Sequence, residues 1–279
     1  MIEYRIMKGY AINYAYIVWN VSPEIFRIGS FGIRWYGLCF VISFFLGYVT
    51  LFYIFRKEGV SIQELENLTI YMLLGTVLGA RLGHVLFYQP GYYLSHPLEI
   101  IEVWKGGLAS HGAAIGILIS LYLFSKRVSK KSFWWISDRM AIVVALGAFF
   151  IRMGNLMNSE IIGKPTYVPW AFIFKRVDEI PRHPSQLYEG LSYLLIFFIL
   201  IKVYLNRKEK SAEGLLSGLF LIGVFSVRFI IEFFKEVQVP FERHLPLDMG
   251  QLLSIPLIML GIIIFIRSRK QAKDESQKV

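Results

Sequence analysis

Apolar residues in this chain are gathered into long segments, and several of them reach the roughly 20 residues that a helix needs to cross a bilayer. Inside a membrane the backbone must satisfy its own hydrogen bonds, and a helix does so within a single segment. The sequence therefore predicts an all-α, polytopic membrane protein. Its predicted spans, about seven in number, cover residues 33–55, 67–88, 108–125, 135–155, 187–205, 214–234 and 248–267.

The composition argues against a soluble enzyme, a disordered protein and a nucleic-acid-binding tail. Of the 279 residues, 55% are hydrophobic and 18% are charged, and the mean hydropathy is +0.51. The charged share lies below the roughly 25% of an average soluble domain. In a membrane protein the net charge of +10 orients helices and meets anionic lipid, so no nucleic-acid partner is expected. The single cysteine, Cys39, excludes an intrachain disulfide.

The distribution of Lys and Arg predicts the orientation. The loops that include 126–131 and the C-terminal tail hold fifteen cationic residues, whereas the opposite set holds eleven over many more residues. Because cationic residues in short loops stay in the cytoplasm, we expect the N-terminus outside and the C-terminus in the cytoplasm.

The same pattern divides the chain into three parts. Residues 1–32 form an N-terminal interfacial arm whose aromatic residues Tyr14, Tyr16 and Trp19 suit the headgroup level. Residues 33–267 form the transmembrane domain, with an extracytoplasmic insertion at 156–186. Residues 268–279 form a basic cytoplasmic tail.

Besides Arg34 and Arg267 at span boundaries, four arginines lie inside the predicted spans. An arginine near the bilayer centre costs about 2.5–3.5 kcal/mol to insert. Arg139 follows Asp138 near the end of a span, so a local ion pair or snorkelling accounts for it. Arg81, Arg152 and Arg228 lie near the outer ends of three spans. They either converge on one outward-facing cavity or snorkel and pair separately.

The second and third spans combine a packing face with polar residues. Glycines at 75, 79 and 83 form a smooth helix face that permits close approach of another helix, and Arg81 and His84 share a second face. His111 follows glycines at a helix N-terminus, whose free N–H groups suit an anion. His111 is either a satisfied core residue or a group that transfers protons near neutral pH.

The later spans carry three further polar features. Arg152, Asn155 and Asn158 form one helix face, which needs a polar ligand or protein partners. Prolines hold 181–189 extended before the fifth span, as a rigid loop with a helix start at Ser185. Arg228 and Glu232 are spaced for an intrahelical salt bridge, or for Glu232 to orient Arg228 toward an anionic substrate.

Taken together, these segments resemble the bacterial prolipoprotein diacylglyceryl transferases from about residue 22 to residue 266. The resemblance rests on motifs at 34–38, 79–88, 106–112, 152–163, 181–189, 228–234 and 249–251. Three positions depart from the usual family pattern around the histidine and the signature arginine: Ser110, Ala113 and Ile151.

The resemblance implies transfer of the diacylglyceryl group of phosphatidylglycerol to the lipobox cysteine of a prolipoprotein, with release of glycerol phosphate. It implies a location in the bacterial inner membrane, an active site toward the outer face, and no metal or cofactor. His111, Arg152 and Arg228 are the expected catalytic residues. The expected lipid-binding residues are Arg152, Tyr36, Arg81, Asn155, Asn158, Glu160, Gly163, His183, Glu189 and Glu232.

Two alternatives remain open from the sequence. A non-catalytic membrane transporter or lipid-binding protein could use the same basic cavity. His111 could remove the thiol proton, or it could only bind the lipid headgroup.

Overall fold

The computed structural model describes residues 16–29, 31–206, 212–237 and 246–277. Within these ranges, seven helices are long and apolar enough to cross a membrane, which confirms the predicted polytopic class. They are α1 (Trp35–Lys57), α2 (Ile62–Phe87), α4 (Ser110–Phe124, extended by a π-helical turn to Ser129), α5 (Phe133–Asn158), α6 (Ser185–Asn206), α7 (Leu215–Glu232) and α8 (Met249–Ser276).

Short elements complete the described chain. A short helix α3 (Pro90–Ser95) and 3₁₀ turns at Pro97–Ile101 and Val103–Lys105 connect α2 to α4. Strands β2 (Glu24–Ile28) and β3 (Phe31–Arg34) form an antiparallel hairpin that leads into α1. Strands β1 (Ile17–Trp19), β4 (Phe172–Phe174) and β5 (Pro181–Arg182) form a second small sheet, in the order β1-β4-β5.

Two helices are longer than their apolar runs. The hydroxyl of Ser61 caps α2 by accepting a hydrogen bond from the Glu64 amide at 3.1 Å, so the helix begins five residues before the predicted span. α8 continues through the basic segment to Ser276, beyond the predicted span end at 267. Hydropathy marks only the part of a helix that lipid covers, and both extensions are polar.

The tightly packed core lies at one end of the bundle. The fully buried Ile54 and Phe55 end α1, Leu65 and Leu68 begin α2, and Phe124 ends α4. The starts of α5 and α7 and the end of α6 contribute to the same cluster. Since consecutive spans run in opposite directions, these positions share one end, which we call the core end.

Arg139 is structural, but its partner is not the neighbouring Asp138. Its guanidinium donates to both carboxylate oxygens of Glu58, at 2.8 and 2.9 Å, and lies over the Trp135 ring. Asp138 instead accepts hydrogen bonds from the amides of Gly214 and Ser217 at the start of α7. The arginine therefore joins α5 to the end of α1, a contact between residues far apart in the chain.

Glycines bring α2 and α4 into backbone contact, as their four-residue spacing predicts. A Cβ added to Gly79 would lie 2.5 Å from the Gly112 carbonyl oxygen, and one added to Gly83 would lie 2.6 Å from the Gly112 Cα. Both distances are shorter than the contacts that real Cβ atoms make with neighbouring atoms. The pair can approach this closely only without side chains at these positions.

Replacing Gly112 with valine should lower the free energy of unfolding by about 1–3 kcal/mol, because the added carbons meet backbone that cannot move aside. Gly37→Ala is the matched control, since nothing lies within 4 Å of a Cβ built there. Denaturant unfolding in detergent micelles measures both changes. Equal stability of the two variants would contradict the close helix contact.

The N-terminal segment is folded against the 156–186 insertion. β1 pairs in parallel with β4, and the Trp19 indole N–H donates to the Leu156 carbonyl oxygen at 3.0 Å. Trp19 also packs with Phe172. Tyr14 lies outside the described residues. Placement of this arm at the headgroup level stays a prediction.

Candidate active site

The polar residues singled out in the sequence lie at the end of the bundle opposite the core end, which we call the polar end. Here α1 and α4 begin, α5 ends, α6 begins and α7 ends. The helix order therefore brings Tyr36, His111, Arg152, Glu189 and Arg228 to one side of the protein.

Arg152 is held by neighbours on two helices. Its Nε lies 2.5 Å from Oε2 of Glu189, and its Nη1 donates to Oδ1 of Asn155 at 3.0 Å. The Tyr193 hydroxyl lies within electrostatic range of the guanidinium. The Glu189 side chain is fully buried and that of Arg152 is 12% exposed. A guanidinium fixed in this way is oriented before any ligand arrives.

The amides predicted on the same face of α5 join the arginine to Glu160. Asn155 Nδ2 donates to Glu160 Oε2 at 3.2 Å, and Asn158 Nδ2 donates to Glu160 Oε1 at 3.1 Å. Tyr36 packs its ring against Gly154, where an added Cβ would lie 2.7 Å from the ring. The predicted polar face is thus one connected network.

Lys235 is a buried cation, although its position just after the predicted span indicated only a loop charge. Its Nζ lies 2.8 Å from Glu232 Oε2 and 3.4 Å from Glu189 Oε1, and the residue is 2% exposed. It therefore connects the carboxylates of α6 and α7. The available signal was its position three residues after Glu232, just past the end of the helix.

The Arg228–Glu232 salt bridge expected from their spacing is not formed, because Glu232 pairs with Lys235 instead. Within the described ranges, Arg228 has no ion pair or side-chain hydrogen bond. It lies within electrostatic range of Tyr193, as Arg152 does. Among the described residues, Arg152 is therefore braced by an ion pair and a hydrogen bond, whereas Arg228 has neither.

The segment at 181–189 fixes the insertion to the start of α6, which begins at Ser185 as predicted. Gln186 Nε2 donates to the Glu160 carbonyl oxygen at 2.5 Å, and Ser185 Oγ donates to the Ile161 carbonyl oxygen at 2.7 Å. The Gly163 amide donates to the His183 carbonyl oxygen at 3.0 Å. These bonds set the position of the loop that carries Glu160.

Arg182 ties this insertion together through acidic partners. Its guanidinium bonds Asp178 and Glu236, with closest distances of 2.6 and 2.8 Å. The hydrogen bonds from Arg182 hold the pKa of the Asp178 carboxyl below its usual range. That carboxylate therefore supports the loop as a charged group at neutral pH.

His183 belongs to a group of aromatic side chains at the start of α6. The Trp170 indole N–H donates to the Tyr188 hydroxyl at 2.7 Å, and that hydroxyl lies 3.1 Å from His183 Nδ1. Because the indole can only donate, the hydroxyl proton is available to His183 Nδ1. Burial lowers the pKa of His183, which makes it a neutral ring at pH 7. Its ring also contacts Phe234.

His111 lies at the start of α4, separate from the arginine cluster. Its ring contacts Phe87 and Tyr88 of the α2 end, with centroids 5.2 and 5.8 Å apart. The residue is exposed, and within the described ranges its ring nitrogens have no hydrogen-bond partner. The structure places His111 at the same end as Arg152 without a direct contact between them.

Arg81 is buried, and its guanidinium donates hydrogen bonds to backbone carbonyl oxygens. It donates to Ile100 at 2.8 Å, to Gly106 at 2.7 Å and to Glu99 at 2.5 Å, and it lies over the Tyr93 ring. These contacts hold the connection between α3 and α4 against α2. Direct lipid binding by Arg81 stays a prediction, and these contacts favour a supporting role.

Within the described ranges, no group of three His, Cys, Asp or Glu side chains could hold a metal ion. The cluster instead offers guanidinium, ammonium and amide groups. Such groups bind phosphate and carboxylate oxygens through charge-assisted hydrogen bonds.

In the part of the chain that the structure describes, seven helices long and apolar enough to cross a membrane, with a buried network of paired charges at one end, define an integral membrane protein. Comparison with known proteins makes the class specific. The model of the prolipoprotein diacylglyceryl transferase family matches residues 23–267, and the chain belongs to this family.

Full-length relatives agree with this assignment. A phosphatidylglycerol–prolipoprotein diacylglyceryl transferase of Chloroherpeton thalassium is 49% identical, with 94% of this chain and 97% of the relative covered. Proteins of the same name from Tolumonas auensis and Bacteroides fragilis are 45% and 43% identical. They cover 91% and 92% of this chain and 98% of each relative.

Proposed function

We propose that this chain transfers the diacylglyceryl group of phosphatidylglycerol to the cysteine thiol of a prolipoprotein, using the polar end of the bundle. The family match and the names of the relatives support this reaction, the first step of lipoprotein maturation. The chain is a transferase and a multi-pass protein of the bacterial cytoplasmic membrane. The family membership does not favour the alternative of a non-catalytic transporter or lipid-binding protein.

The reaction is a displacement at carbon. The cysteine sulfur attacks the glycerol carbon next to the phosphate oxygen, a C–S bond forms, and the C–O bond breaks. The bonding electrons leave with glycerol phosphate, and the thiol proton passes to a base. The phosphate changes from a singly charged diester to a monoester with more negative charge, so fixed cations bind the transition state more tightly than the substrate.

One observation carries the assignment of roles: Arg152 is held by Glu189 and Asn155, while Arg228 stays unpaired within the described residues. In this proposal both guanidinium groups bind the phosphate. Asn155, Asn158 and Glu160 keep Arg152 in place. A membrane-embedded charge without an ion pair is costly, and an anionic lipid headgroup would offset that cost.

The remaining predicted residues contribute in different ways. Tyr36 packs beside Arg152 and supports the same face, and Gly163 lets the insertion approach His183 closely. Glu189 and Glu232 set the charge balance around the arginines. His183 is a neutral member of the group of aromatic side chains at the start of α6.

His111 is the proposed base for the thiol. A free thiol with a pKa near ~8.5 is mostly protonated at neutral pH, so a base increases the thiolate fraction. The exposed ring of His111 at the polar end can accept that proton. Because it lies apart from the arginines, the thiol would approach the glycerol carbon from the side opposite the departing phosphate.

The reaction is tested with purified protein in vesicles of phosphatidylglycerol and a lipobox peptide. Mass spectrometry should show a peptide that carries diacylglycerol through a thioether, and glycerol phosphate should accumulate in equal amount. A peptide with serine in place of cysteine and vesicles of phosphatidylcholine are the controls. An unmodified cysteine peptide in phosphatidylglycerol vesicles would contradict the proposed function.

The proposed orientation places the polar end and the 156–186 insertion on the outer side. It rests on the distribution of Lys and Arg between the two sets of loops. The test replaces the buried Cys39 with alanine and introduces single cysteines at the exposed positions Arg127 or Tyr167. In intact cells an impermeant thiol reagent should label position 167 and not position 127, and the reverse pattern would overturn the orientation.

A further inference from the structure

Backbone hydrogen bonds on both sides of Lys235 fix its position in the structure. It follows α7 directly, and its backbone forms an antiparallel bridge with Gly163 of the insertion. The neighbouring Phe234 carbonyl oxygen accepts from the Lys164 amide at 2.8 Å, and the Glu236 amide donates to the Ile162 carbonyl oxygen at 3.1 Å. The chain therefore fixes this lysine where its side chain must point between α6 and α7.

The buried charges form an alternating series. Arg152 pairs with Glu189, Glu189 lies near Lys235, and Lys235 pairs with Glu232. Two cations and two carboxylates balance one another within this series. Arg228, one helical turn before Glu232, is the cation that stands outside it.

Glu232 is also held from the side of α8. A Cβ built on Gly250 would lie 2.7 Å from either carboxylate oxygen of Glu232, so the carboxylate rests against the start of that helix. Lys235 and Gly250 together keep Glu232 in a position where it makes no ion pair with Arg228. Without Lys235, the negative charge of the buried Glu232 carboxylate would need another cation. On its own helix that cation is Arg228, four residues earlier, at the spacing of an ion pair.

We propose that Lys235 is a positioning residue that holds Glu232 away from Arg228 and thereby leaves the Arg228 guanidinium open to the phosphate of the lipid. This inference rests on the proposed function, since it assigns the phosphate to Arg228. It adds a role for a residue that touches neither the lipid nor the thiol.

The first variant is Lys235→Met, which keeps the length of the side chain and removes the charge. Glu232 should then pair with Arg228, and the affinity for phosphatidylglycerol should fall by about 30-fold or more, the loss that follows when one partner of a buried, hydrogen-bonded charge pair is removed. Because Arg228 is also assigned to the charge that develops on the leaving phosphate, kcat should fall as the KM for the lipid rises. Lys235→Arg should retain most of the affinity, because it restores a cation between the two carboxylates.

The decisive variant is the double substitution Lys235→Met with Glu232→Gln. Once the competing carboxylate is gone, the loss of Lys235 should change the affinity by no more than about twofold relative to Glu232→Gln alone, the usual limit of additivity. A lysine that only stabilised the fold, or that touched the lipid itself, would not show this rescue. Lys175→Met is the matched control, because that exposed lysine pairs with Glu179 in the insertion.

Each variant is reconstituted in nanodiscs with phosphatidylglycerol, and both lipid affinity and transfer are measured. A double variant that binds lipid as poorly as Lys235→Met, with an unfolding midpoint equal to that of Glu232→Gln, would overturn the proposal. If the wild type binds the lipid without transferring it, the proposed function fails. The affinity comparison among the variants still decides the role of Lys235 in that case.

Discussion

Replacing Arg152 with lysine should lower diacylglyceryl transfer by about 10²–10³-fold, the effect of removing one fixed donor from a developing negative charge. Lysine keeps the positive charge near Glu189, so the fold should persist. It cannot bond Glu189, Asn155 and a phosphate at once, because its ammonium is a point charge rather than a planar fork. The measurement is kcat/KM for phosphatidylglycerol with a lipobox peptide.

Arg139→Lys is the matched control for this substitution. Arg139 is also a buried, bidentate arginine on α5, but it pairs with Glu58 at the core end. The same chemical change there should reduce stability and leave transfer per folded molecule unaffected. If Arg152→Lys and Arg228→Lys both retain nearly wild-type turnover, a simple charge suffices and a guanidinium clamp on the phosphate is wrong.

Replacing His111 with glutamine should lower kcat by about 10²–10⁴-fold, the usual contribution of a general base. Lipid affinity should remain, because the phosphate contacts are assigned to Arg152 and Arg228. The defect should shrink as the pH rises toward ~8.5, since solvent then supplies the thiolate without help. A pH–rate profile and a lipid affinity for each protein measure both parts of this expectation.

His96→Gln serves as the control for the histidine substitution. His96 stacks on Tyr92 in the connection between α3 and α4, away from the start of α4, and its replacement should leave the profile unchanged. Weak lipid binding by His111→Gln together with an unchanged pH profile would contradict the role of a base. His111 would then be a ligand of the headgroup.

Much of the fold could be predicted because its determinants are local in the sequence. The lengths of the apolar segments predicted the seven helices, and the glycine spacing on α2 predicted a face that packs closely on another helix, which the structure shows to be α4. The prolines before Ser185 predicted the start of α6. A helical face shared by Arg152, Asn155 and Asn158 likewise follows from spacing alone, and the structure joins them through Glu160.

The charge pairing could not be predicted, because it depends on which helices meet. Spacing favoured Arg228 with Glu232 and proximity favoured Arg139 with Asp138, yet the observed partners are Lys235 for Glu232 and Glu58 for Arg139. In both cases a partner with better geometry was available after folding. The extension of α2 to Ile62 escaped prediction for a different reason, since its first turn is polar and capped by Ser61.

A structure determined with phosphatidylglycerol bound would show directly where the phosphate lies. We expect the lipid phosphate at the polar end, within hydrogen-bonding distance of the guanidinium groups of Arg152 and Arg228. Glu232 should remain paired with Lys235. A phosphate bound beside Arg81, or at the core end, with Arg228 paired to Glu232, would contradict the assignment of the site.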